Sequence, residues 1–150
     1  MSYLIDRTFG HEELSEIAQS CLKFLLAAEP VFTLSIAGEM GVGKTTMVRE
    51  LLYALGLDRS MSPNSPTFSV MNLFNVHKKQ FAHIDFYRIQ DVPHLLEAVV
   101  DDALLADGIF VEWLSCADKF VHQIVATHEM TLRFGSSHDP NQRSIQFRKI

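Results

Sequence analysis

Gly38-Glu39-Met40-Gly41-Val42-Gly43-Lys44-Thr45-Thr46 decides the reading of this chain, because it follows an apolar, β-rich run and opens a helical pattern. Its glycines allow a tight turn in which successive backbone N–H groups point inward at phosphate oxygens, and the next helix presents its positive N-terminal end. In the G-x-x-x-x-G-K-[ST] pattern, Lys44 reaches the β- and γ-phosphates and the Thr45 hydroxyl ligates Mg²⁺. A chance match in a chain of this size has a probability on the order of 10⁻². The strand-then-helix setting lowers it further, so the expected ligand is a nucleoside triphosphate with its metal.

Working outward, the run Val31 to Ala37 before the loop is nearly all apolar, as expected of a central strand covered on both faces. After the loop, Met47, Val48, Leu51, Leu52 and Leu55 repeat at helical spacing, and Gly56 stands where a left-handed cap ends the helix. Upstream, His11 to Ala28 carries Leu14, Ile17, Ala18, Cys21, Leu22 and Leu25 on one face, an amphipathic helix stopped at Glu29-Pro30. Downstream of a polar connection from Leu57 to Pro66, the β-type runs Phe68 to Val76 and Gln80 to Tyr87 flank His77-Lys78-Lys79, which predicts an antiparallel hairpin. Val92 to Ala106 reads as one or two short helices, and Ile109 to Trp113 as a short buried strand that leads into a helical turn over Leu114 to Val121. His128 to Phe134 and Arg143 to Lys149 predict a C-terminal hairpin. The expected fold is α/β, a P-loop NTPase-like mixed sheet with antiparallel hairpin additions and helices on both faces, in one domain spanning residues 1–150.

Composition sets bounds on function. The 150 residues are 47% hydrophobic and 21% charged, enough to bury a core. A net charge of −5 argues against general phosphate attraction as a way of holding nucleic acid, so a nucleic-acid role is expected to be indirect. Two widely separated cysteines, Cys21 and Cys116, suggest buried thiols in a reducing compartment and neither a disulfide framework nor a zinc site. The first residues lack a signal-peptide pattern, and no apolar run approaches the roughly eighteen residues of a membrane span. A cytoplasmic, soluble protein without membrane association is expected.

A phosphate loop names a ligand and not a reaction, so acids able to serve the metal and the attacking water are needed as well. Asp85, late in the strand around His83-Ile84-Asp85, and Glu112, at the end of another, are the two that qualify. Ligands gather outside the carboxyl ends of strands in open α/β sheets, which brings both acids to the loop if their strands run parallel to the first. The competing reading for each is a strand-end acid that caps a helix or faces water. His83 and Asp85 share one strand face, but no third ligand has metal-site spacing, so His83 reads as a core or supporting histidine. Lys78 and Lys79 read as turn charges.

Gly38 to Thr46, Ser65-Pro66-Thr67-Phe68, His83-Ile84-Asp85-Phe86-Tyr87-Arg88-Ile89 and Glu112-Trp113, in this order and at these intervals, resemble the bacterial TsaE family, the ATPase of tRNA threonylcarbamoyladenosine biosynthesis. The resemblance covers essentially the whole domain. It implies that Lys44 is the phosphate lysine, Thr45 the magnesium hydroxyl, Thr67 part of a switch-like loop sensing the γ-phosphate and metal, and Asp85 a Walker B-type acid. It also implies that Glu112 positions or activates water and that Trp113 lies close to the nucleotide. Gly38 to Thr46, together with Thr67 and Trp113, would then bind ATP, with Thr45, Asp85 and Thr67 on the Mg²⁺ side. Leu114 stands where relatives commonly have proline, which affects only the local turn. The resemblance further implies a partner complex of two sugar-kinase-like proteins that transfers the threonylcarbamoyl group, reaches tRNA itself and is reset by ATP hydrolysis.

Other functions remain in view. A small-molecule kinase would use the same loop but needs an arginine-bearing lid, whereas Arg49, Arg59 and Arg88 are scattered. A GTPase predicts a guanine-reading N-K-x-D motif, which the chain lacks. A non-catalytic adaptor is disfavoured by the presence of Thr67, Asp85 and Glu112 together. With no arginine placed as a finger, a weak basal rate is expected. The first helix and the segment around Thr8 to Glu13 are guessed to neighbour the base.

Overall fold

A computed structural model describes residues 2–28, 30–66, 69–117, 122–136 and 138–150. Among them the strands form a seven-stranded sheet in the order β1-β7-β6-β2-β5-β4-β3. Its parallel centre consists of β2 (Phe32–Ala37), with β5 (Gly108–Glu112) and β6 (His128–Phe134) on either side, and β4 (Lys79–Asp85) beyond β5. Antiparallel strands flank this centre: β3 (Met71–Val76) on β4, β7 (Arg143–Lys149) on β6, and β1 (Ile5–Phe9) on β7. This is the expected mixed sheet with hairpin additions.

Alternation along the central strands divides the core between the two faces, because successive side chains of a strand point to opposite sides. Phe32, Leu34, Ile36, Phe81 and Phe110 join the cluster containing α1 (Leu14–Ala28) and α2 (Lys44–Leu55). Ala82, Ile84, Ile109 and Val111 join the other, which holds α3 (Leu96–Leu104) and Ala117 of the one-turn α4 (Leu114–Ala117). Helices therefore cover both faces. All five residues of β5 are buried, Glu112 with them. A carboxylate at that depth needs donors, since leaving it unpaired costs several kcal/mol.

Several local features depart from the periodicity reading. The chain over Ile5–Phe9 is an edge strand with three exposed residues in succession, so it has no apolar pattern to announce it. Only its pairing with β7, Ile5 opposite Phe147, reveals it. The first helix starts later than expected: His11–Glu13 is a 3-10 turn, with the Glu13 carboxylate accepting the Gly10 N–H at 2.8 Å and ion-paired to Arg7. The β3–β4 hairpin is tighter than the expected three-residue loop, because Lys79 already pairs with Val76. His77 and Lys78 carry the turn at φ 48° and 67°, left-handed values without glycine. β4 also stops at Asp85, sooner than Tyr87, because Asp85 Oδ1 accepts the Tyr87 N–H at 3.0 Å and starts a 3-10 segment over Phe86–Asp91. Gly56 ends α2 as expected, at φ 112°.

Candidate nucleotide site

The phosphate loop joins β2 to α2 at the carboxyl edge of the sheet. Gly43 starts the helix at φ 113°, a left-handed value open to glycine at little cost, and Gly38 passes so close to the Leu132 carbonyl that a Cβ would lie 2.6 Å from it. Val42 is buried against the core, and its N–H donates to the Glu39 carbonyl at 3.2 Å. These contacts hold the loop from beneath.

Lys44 is buried, with Nζ donating to the carbonyls of Gly38 at 2.8 Å and Glu39 at 2.9 Å and lying 4.4 Å from the centre of the Trp113 ring. Burial lowers its pKa, while the negative charges of Glu112 and then Asp85 oppose that shift. Trp113 stands at φ 56°, a strained conformation for a large side chain, costing about 1–3 kcal/mol. That backbone turns the ring over the lysine and against Tyr87, 5.1 Å between centroids.

The two acids expected at the site are both present, and they are not equivalent. Asp85 and Glu112 are register partners at the ends of parallel strands. Thr45 Oγ1 donates to Glu112 Oε1 at 2.8 Å, across from the first turn of α2. His83 Nε2 meets the same oxygen at 2.8 Å. Asp85 is held from elsewhere: Ser65 Oγ donates to its Oδ2 at 2.6 Å. Lys44, Thr45, Asp85, Glu112 and Trp113 share one cleft of about 300 Å³. Thr67 lies outside the described residues.

Two further clefts flank this one. Gly41, Gly43 and Thr46 also line a cleft of about 230 Å³ whose other walls include Phe9, His11 and Arg143. Phe9 and His11 fall within the segment guessed to neighbour a base, and Leu14 of the first helix lines the same cleft. Arg143 escaped the sequence reading: its Nε donates to the Val42 carbonyl at 2.9 Å, across 101 residues of chain, and no local pattern could have signalled it. On the other side, Asp85, Ser65 and Arg88 line a cleft of about 370 Å³. Arg88, read as scattered, is thus beside one of the site acids.

The donor set suits a hard cation. Thr45, Glu112 and Asp85 offer oxygen, and the described residues contain no cluster of three or more His, Cys, Asp or Glu able to hold a metal. Mg²⁺ commonly takes one or two carboxylates with waters and phosphate oxygens in place of an all-protein cage. A turn of left-handed glycines with a buried lysine at its end fits the triphosphate.

A parallel-centred sheet with a glycine-rich loop entering a helix at its carboxyl edge places the chain in the P-loop NTPase-like class of folds. The crystal structure of Bacillus subtilus YdiB has the same fold, with a TM-score of 0.61 over 97% of this chain and 88% of that one, at 19% identity. Residues 10–145 match the family model described as threonylcarbamoyl adenosine biosynthesis protein TsaE. The tRNA threonylcarbamoyladenosine biosynthesis protein TsaE of Bacillus subtilis is 33% identical over 124 residues, 82% of this chain and 74% of its relative. Its counterpart in Aquifex aeolicus is 30% identical over 104 residues, 69% and 71% of the two chains. The chain belongs to the TsaE family.

Proposed function

We propose that this protein is a Mg²⁺-dependent ATPase that serves tRNA N6-threonylcarbamoyladenosine modification as an accessory to a threonylcarbamoyltransferase complex. The observation that carries the chemistry is the Thr45–Glu112 hydrogen bond: it sets a buried carboxylate at the first turn of α2, beside the loop that would hold the phosphates. Family membership supports the pathway. The kinds of side chain in the cleft support the reaction.

In this reading Lys44 holds the β- and γ-phosphates and the loop N–H groups cradle them. Bound Mg²⁺ would offset charge on the phosphate oxygens. Thr45 and Glu112 stand together on the metal side, while Asp85, tied to Ser65, faces the segment leading to Thr67 and orients water or senses the γ-phosphate. That division exchanges the roles the resemblance implied for the two acids. The partners would be two sugar-kinase-like proteins that carry out the transfer and hold the tRNA, in keeping with a net charge of −5 here. A cytoplasmic location goes with the pathway. No helix among the described residues is long and apolar enough to cross a membrane.

The test is ATP hydrolysis by the purified chain with and without the partner complex, alongside tRNA modification with this protein omitted. Slow Mg²⁺-dependent hydrolysis that rises with the partners, and modification that stalls without this chain, are the expected results. Unchanged hydrolysis together with undiminished modification defeats the reading. The cleft beside Asp85 favours one competitor, a small-molecule kinase with an acceptor there. Product analysis separates the two, since a kinase yields a phosphorylated acceptor and an ATPase yields free phosphate.

A further inference from the structure

His83 is the exception among the buried residues of β4. Phe81, Ala82, Ile84 and then Phe86 are buried and apolar, whereas His83, 0% exposed among them, is polar. Its Nδ1 has no hydrogen-bond partner among the described residues, so the ring is anchored through Nε2 to Glu112 Oε1 at 2.8 Å. With Glu112 as a carboxylate, which only accepts, Nε2 is the nitrogen that donates. Glu112 is 2% exposed, and its contacts from Thr45 and His83 converge on the same oxygen, Oε1, one from α2 and one from β4.

A core position has no need of such a pair. Replacing buried charged or polar partners by apolar side chains of similar volume is often neutral or stabilising, because desolvation offsets their attraction. Two strands that required only packing would carry two apolar residues here, as they do at Ile84 and Val111 on the opposite face. A pair of donors on a single oxygen instead fixes the orientation of the carboxylate plane.

We propose that His83 is a positioning residue: its Nε2–H orients Glu112 so that the carboxylate is preset for the Mg²⁺-bearing phosphates. This rests on the reading of the site as a Mg²⁺–nucleotide centre. Thr45 alone does not fix the plane: in that reading its hydroxyl ligates the metal through a lone pair and keeps its O–H on Glu112 Oε1, and His83 supplies the second donor from β4. Outer partners of metal-side ligands typically matter by about 10–100-fold in metal affinity or activity.

The experiment compares wild type, His83→Ala and His83→Gln, the last placing an amide N–H near the lost Nε2–H. His83→Ala should lower kcat about 10–100-fold and raise the Mg²⁺ concentration for half-maximal rate, with metal-free nucleotide affinity held within about two-fold. His83→Gln should recover part of both. A folded His83→Ala with wild-type kcat and Mg²⁺ midpoint overturns the proposal, even if its Tm falls, and so does a folded His83→Gln no better than His83→Ala. Should the variants not fold, the wild type still decides by NMR: the buried Nε2–H resonance should shift when Mg²⁺ joins bound ADP, and one insensitive to Mg²⁺ overturns the proposal. A wild type without Mg²⁺-dependent hydrolysis overturns the site reading itself, an outcome seen on the wild type alone.

Discussion

Lys44 has three neighbours that satisfy its charge, the carbonyls of Gly38 and Glu39 and the face of Trp113, and phosphate would have to compete with all of them. Losing its charge-assisted contacts to phosphate, typically 1.5–3 kcal/mol, should weaken nucleotide binding in Lys44→Ala by about 10–100-fold or more. Glu112→Ala separates binding from chemistry: metal-free nucleotide affinity stays near wild type, while loss of a metal-side carboxylate lowers kcat by roughly 10–100-fold or more. Normal hydrolysis by Glu112→Ala would remove it from the mechanism. Cys21 offers a pH prediction away from the site. Burial pushes its thiol up from 9.0 to about 12. The folded chain therefore keeps a proton that the unfolded chain releases above 9.0, so this residue's contribution is complete below 9.0 and is lost as pH rises from there toward 12. Denaturant titrations across that range should show stability falling with pH more steeply in wild type than in Cys21→Ala, by up to about 1.4 kcal/mol per pH unit. Equal slopes would show that folding leaves the thiol's titration unshifted.

At the scale of elements, α2 holds the site in place from both ends. Its first turn carries Thr45 to Glu112, and its last is closed by Gly56, where a Cβ would meet His77 Nε2 at 2.4 Å. Gly56→Ala combines a left-handed backbone with that collision, and should cost more than about 1 kcal/mol, read as a lower urea midpoint at unchanged m-value. A midpoint within error of wild type would mean that the hairpin tip yields without cost. What could be foreseen of these elements follows from how local their causes are. β6 and β7 alternate apolar and polar residues and could be read end to end, and α2 carries both its phosphate loop and its cap glycine within a few residues. β1 could not, because an edge strand with Asp6, Arg7 and Thr8 exposed is fixed by its partner and not by its own pattern. The same limit applies at the site. Lys44, Thr45, Asp85 and Glu112 were legible through loop chemistry, strand ends and resemblance, whereas the Thr45–Glu112–His83 convergence and the Arg143 bond to Val42 join distant segments and have no local sign.

For the molecule as a whole, the phosphate loop is the point where otherwise separate parts meet. It follows β2, opens α2, touches β6 through Gly38 and Leu132, takes a hydrogen bond from β7 through Arg143, and faces β4 and β5 through Asp85 and Glu112. A ligand that tightens this loop bears on both layers of the core together. Nucleotide binding should therefore raise the unfolding temperature of a single cooperative transition and not split it, with about 2.7 kcal/mol gained at a ligand concentration one hundred times Kd. Trp113 is the chain's one tryptophan and sits over Lys44, so its emission should change on binding and then report the same transition as far-ultraviolet circular dichroism. At that same concentration Lys44→Ala, binding about 10–100-fold more weakly, should show a smaller fluorescence change and a stabilisation of no more than about 0.4–1.4 kcal/mol. Two separate transitions in the nucleotide complex, one seen by Trp113 and a later one by circular dichroism, would mean that the site melts ahead of the sheet. The loop would then be a local clasp, uncoupled from the rigidity of the whole domain.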